Sequence, residues 1–151
     1  LSENPAPDMD NDAVFRGVTT YLATKQKVDV NLCNTMIKIL LHEAEDISYA
    51  SKASKLFVDR EKGEEGCAGL LDDVIRLSVV DHIITNHEYT TVLENYLHYF
   101  LGRNLNSVSY LDNVGKKSYL EIDEKLGIMN QIDLNAELIL VLSAVLDQTQ
   151  N

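Results

Sequence analysis

The chain has 151 residues, 45% apolar and 25% charged, enough for one globular domain and too apolar for a disordered chain. Thirteen basic against 24 acidic residues give a net charge of −11, which repels phosphate backbones and argues against nucleic acid as a partner. Both prolines, Pro5 and Pro7, fall in the first seven positions and only seven glycines are present. That is too few turn-formers for a β-sandwich, and no apolar run reaches the roughly 20 residues of a membrane span.

Residues 1–11 have no hydrophobic period and are expected to be a flexible acidic tail; through Asp12 the chain carries Glu3, Asp8, Asp10 and Asp12 with no base. Residues 12–151 are expected to form a single helical-bundle domain. Val14, Phe15, Val18, Tyr21 and Leu22 share one face of a first helix. It is expected to end at Lys25 to Lys27, where cations suit the negative end of the helix dipole. Asp29 or Asn31 caps the second helix, whose stripe runs Leu32/Cys33, Met36/Ile37, Leu40/Leu41, Ala44 and Ile47. Ala50, Ala53 and Phe57 continue that face, either as one helix to residue 58 or as two joined near Ser48.

The segment EKGEEG (61–66) is charged, has two glycines and reads as a loop. A third helix follows with Cys67, Leu70, Leu71, Val74, Ile75 and Val79, leading to Ile83. Asn86 is placed to cap a fourth, whose face is Tyr89, Val92/Leu93, Tyr96/Leu97 and Phe100/Leu101, with Gly102 as its C-terminal stop. Residues 103–117 are turn-rich. Ser118 and Glu121 make a capping box for a short helix ending at Gly127. Asp133 caps a last helix whose LILVLSAVL run (138–146) is apolar on nearly every side and calls for burial on most of them. The expected fold is all-α, an antiparallel four-helix bundle with short additional helices.

Patterns that would carry chemistry fail one by one. HEAE (42–45) lacks the second histidine of a zinc-protease helix. His87 and His98 are about 16 Å apart along one helix, and His82 with His87 has no third ligand nearby in sequence. DMDND (8–12) imitates a calcium loop, but Ala13 and Thr19 stand where glycine and glutamate belong. VGKKS (114–118) lacks the leading glycine and strand of a phosphate loop. Asp72/Asp73 and Asp123/Glu124 are adjacent, so on a helix they diverge by about 100° rather than forming an acid–base pair. The expectation is a non-enzymatic chain with no metal and no cofactor.

A binding role remains. Polar faces carrying Glu43, Asp46, Glu64, Glu65, Asp72 and Asp73 suit a basic protein partner, drawn in by opposite charge. The large apolar residues are all assigned to the core. Self-association into a homodimer, as a structural or oligomerisation module, is the alternative use of such a domain. Cys33 and Cys67 either form one disulfide or remain two thiols; the first suits an oxidising compartment, the second the cytosol.

The stretch from Cys67, CAGLLDDVIRLSVVDHIITNHEY, together with HYFLG (98–102), AELILVLSAVL (136–146) and the long segment from Val28 to Phe57, resembles plant pectin methylesterase inhibitors and the related invertase inhibitors. That family consists of small secreted four-helix bundles. The chain departs from it in having no cysteine among its first 32 residues, and Asn106 stands near the place of a partner for Cys67. His87, Glu88 and Tyr89 replace the Pro-Lys-Phe motif of the invertase branch. The resemblance implies an extracellular inhibitor that docks the faces of its second and third helices over the cleft of a cell-wall carbohydrate enzyme, blocking it sterically. Among the charged positions on those two helices, Glu43, Asp46, Asp72 and Asp73 are the first candidates for the contact.

Overall fold

In the computed structural model of the chain, the described residues are 12–59, 67–85 and 87–111, with Ala136, Leu138, Ile139, Leu142 and Ser143. The acidic tail, the 61–66 loop, the Asn86 cap, the Ser118 capping box and the Asp133 cap lie outside them. Four helices are bounded among the described residues: α1 (Asp12–Ala23), α2 (Val30–Ala53), α3 (Cys67–Ile84) and α4 (Thr90–Phe100). The fold is all-α, as expected, with no strand among the described residues. None of the helices is long and apolar enough to cross a membrane, among the residues described.

The chain forms two compact units, Leu1–Glu43 and Ala44–Asn151. Their boundary falls inside α2.

In the first unit, α1 stops at Ala23, short of the lysines expected to close it. Thr24 N–H turns back to the Tyr21 carbonyl at 3.4 Å, and Thr24 Oγ1 then accepts Gln26 N–H at 3.3 Å. A threonine side chain that takes a nearby backbone N–H diverts it from the helical ladder, so Lys25 and Lys27 belong to the connection. Asp29 is the cap of α2: its Oδ1 accepts the N–H groups of Asn31 (2.8 Å) and Leu32 (3.1 Å), two of the donors that a helix start leaves open. Asp29 N–H in turn donates to Tyr21 Oη at 3.0 Å, which ties the end of α1 to the start of α2. Phe15, Val18 and Leu40 are buried.

The helix α2 runs unbroken through Ser48, settling the choice between one helix and two. Beyond Ala53 the chain turns: Ser51 Oγ donates to the Phe57 carbonyl at 2.7 Å and Phe57 N–H reaches Ser54 O at 3.1 Å. Phe57 adopts φ +58°, and it is exposed with Ala53 rather than continuing the buried face.

In the second unit α3 packs on α4. Asp81 bonds to Tyr89, and Asp73, two turns earlier, bonds to Tyr96, two turns later; contacts in that order make the pair antiparallel. Leu70, Leu71, Val74, Leu77, Val80, Val92, Leu93, Tyr96 and Phe100 are buried from the two helices, each such side chain contributing about 1.5–3 kcal/mol on leaving water. Tyr99 sits edge-on to Phe100 (6.3 Å) and Tyr110 (5.9 Å). Helix α4 ends as expected at Gly102, which adopts φ +123°. Gly102 N–H bonds to Tyr99 O (3.2 Å) and Arg103 N–H to His98 O (2.9 Å), the bond pair of a Schellman stop.

The expectation that the large apolar residues would all serve the core is corrected. Val30, Leu32, Tyr49, Phe57, Leu101, Leu105, Ile139 and Leu142 are exposed. Near the C-terminus Leu138 is buried while Ile139 and Leu142 are exposed; most of the apolar 138–146 run lies outside the described residues.

Candidate functional site

Among the residues expected to meet a partner, Asp73 is corrected first. It is fully buried, and its Oδ2 accepts the Tyr96 hydroxyl at 3.0 Å. Tyr96 Oη also accepts Asp59 N–H at 3.2 Å, so one phenol links α3, α4 and the chain after α2. Burial, reinforced by the Asp73 carboxylate, pushes the Tyr96 phenol far above its ordinary value and keeps it a donor. Asp72, 100° round the same helix, faces out far enough to be partly exposed, but its Oδ2 is bound by the buried Arg76 Nε at 2.8 Å. Asp73 is therefore closed to a partner, whereas Asp72 is partly exposed with one of its oxygens held by Arg76.

A second buried carboxylate, Asp81, holds the start of α4. Its Oδ1 accepts Tyr89 N–H at 3.0 Å, and its Oδ2 lies 3.6 Å from Nδ1 of His87. A negative group at the first turn of a helix faces the positive end of its dipole. Tyr89 supplies no side-chain cap of its own; its phenol is raised, chiefly by burial and then by Glu88, Glu45 and Asp81. These groups fix the α3–α4 register and bury their polar atoms against one another. The Asp73 and Asp81 side chains are fully buried.

His42, His82, His87 and His98 are exposed, and among the described residues no three His, Cys, Asp or Glu side chains converge on a possible metal position. Cys33 is half-buried with a free thiol. In the first unit an open groove of about 600 Å³ runs beside α1, edged by Arg16, Thr20, Thr24 and Lys27.

The exposed polar face is on α2. Glu43 is half-buried and Asp46 exposed. Beside Asp46 stand Glu45, also exposed, and Tyr49, 79% exposed. Glu45 and Asp46 precede Tyr49 by four and three residues, which puts all three on one side of the helix. Sequence reasoning named Asp46 but missed Tyr49 and Glu45. The signal was present: Tyr49 falls about 200° round the helix from the buried Ile47. Compared with known proteins, the chain matches no family model, no curated protein and no solved structure.

Proposed function

We propose that the chain is a non-enzymatic protein-docking module whose contact face is the Glu45–Asp46–Tyr49 side of α2, and that its partner is basic. The exposure of Tyr49 beside two carboxylates carries this reading. A solvent-facing tyrosine supplies a large rigid ring that can receive a Lys or Arg on its face, while flanking carboxylates take the same cation's N–H groups. A chain of net charge −11 steers such a partner inward over several ångströms. The inhibitor implied by the sequence resemblance would use the same face to cover an enzyme's cleft without chemistry of its own. That resemblance implies an extracellular setting, and the docking function itself depends on no particular compartment.

Affinity capture on the immobilised chain at low ionic strength tests it. A bound protein should be basic, should be released by salt, and should be held about 30-fold more weakly by Tyr49→Ala, as for an aromatic hot spot. The double reversal E45K/D46K should slow association at low salt and change little at high salt. Capture that both variants retain in full would sink the proposal.

A further inference from the structure

Two segments that meet in the second unit carry the opposite charge from the rest of the chain. Residues 52–58 hold Lys52 and Lys55, residues 101–108 hold Arg103, and neither segment contains an acid, in a chain of net charge −11. They meet where the Arg103 guanidinium lies over the Phe57 ring, 5.6 Å from its centroid.

The guanidinium is fixed as well as stacked. Arg103 Nη2 donates to the Asn95 carbonyl (3.1 Å) and to Asn95 Oδ1 (2.7 Å). Among the described residues its Nε and Nη1 make no hydrogen bond, and the side chain is exposed. Phe57 is held in a left-handed conformation that an aromatic residue rarely takes, secured by the buried Ser51 hydroxyl on its carbonyl. The 101–108 loop is equally set. Gly102 and Ser107 are left-handed. Buried Asn104 donates to Tyr99 O (2.8 Å) and Val108 O (2.7 Å) and accepts from the N–H groups of Asn106 and Val108. That fastened loop nonetheless points Leu101 and Leu105 into solvent, Leu105 at 73% exposure.

We propose that this is a second docking site, in which Arg103 receives a carboxylate and Leu101 and Leu105 receive an apolar side chain next to it, so that the ligand is an acidic, apolar peptide segment of a partner protein. Most of the ordering that binding would require is already in place, because the arginine, its aromatic support and the loop are held before the ligand arrives. The Arg103 surface differs in charge from the Glu45–Asp46–Tyr49 face and is tested by its own substitutions, so it stands or falls separately. An anionic lipid surface would meet the same guanidinium, and the vesicle arm of the test separates it from a peptide.

The test is selection of a displayed random-peptide library on the full chain, followed by fluorescence anisotropy of the selected peptides. Enriched sequences should place Asp or Glu beside Leu, Ile or Phe. They should bind at least tenfold more weakly to Arg103→Lys, which keeps the charge but loses the planar stack, and to Asn95→Asp, which gives the guanidinium an internal carboxylate. Leu105→Ser should weaken them too, while Arg16→Gln should not, and thermal melts should show each variant folded. Enrichment without acidic residues, undiminished binding to Arg103→Lys, or no enrichment at all would overturn the proposal. So would Arg103-dependent sedimentation with phosphatidylserine vesicles, or an Arg103-dependent dimer in sedimentation velocity.

Discussion

Tyr96 shows how much one side chain decides. Its hydroxyl is the donor to Asp73 and the acceptor for Asp59 N–H, so Tyr96→Phe removes two hydrogen bonds from a closed interior. Losing them should cost about 1–3 kcal/mol together, at about 0.5–1.5 kcal/mol per bond, to be read from urea unfolding at pH 8. The same phenol sets an alkaline limit. Its folded pKa is raised above the unfolded value near 10, so its contribution is complete below pH 10. Above that the unfolded chain releases a proton that the folded chain keeps, and stability falls by up to ~1.4 kcal/mol per pH unit for each such group. Tyr89, raised in the same direction, adds to the decline. Unfolding curves from pH 8 to 11 should therefore be shallower in their pH dependence for Tyr96→Phe than for the parent chain. Sequence could not separate Asp73 from Asp72. Both are acids on one helix, and which of them meets a phenol 23 positions later depends on the register of α3 against α4, which periodicity leaves open.

At the scale of elements, two glycines make opposite predictions. Gly17 lies inside α1, and a Cβ there meets nothing within 4 Å; Gly17→Ala should stabilise by about 0.5–1 kcal/mol by restricting the unfolded chain. Gly102 has similar room, its nearest neighbour Val108 being 3.8 Å away, but its φ of +123° suits no L side chain. Gly102→Ala should cost roughly 1–3 kcal/mol through backbone strain alone. Paired thermal melts check both signs, and equal shifts would contradict this account. Helix identity was legible because apolar residues recur at the helical period in α1, α2, α3 and α4, and Gly102 was legible because a left-handed stop has a known residue preference. The early end of α1 was not. It depends on the Thr24 hydroxyl competing for a backbone N–H, a short-range contest that outweighs the attraction of Lys25 and Lys27 to the helix dipole. Tyr49 was readable from its angle on α2 and went unread because large apolar residues were all given to the core.

For the molecule as a whole, the division at Glu43/Ala44 predicts uneven behaviour along α2. Residues 30–43 contribute one buried side chain, Leu40, whereas Ala44, Ile47, Ser48 and Ser51 are all buried in the following turns. Local opening is easiest where few apolar groups are covered. Native-state hydrogen exchange should find the amides of 44–53 protected more strongly than those of 34–43, although they share one helix. Uniform protection along α2 would mean that the two units open as one. No sequence pattern marks this boundary, because the apolar stripe of α2 passes through it without a change of period.

That continuity also limits how the chain can be divided. A gene split at the join would sever a helix in mid-span, stranding carbonyls on one fragment and amide hydrogens on the other. Neither half could be exchanged with another protein as a ready-made cassette. A chimera made from this chain would have to keep the whole of α2 on one side of its junction.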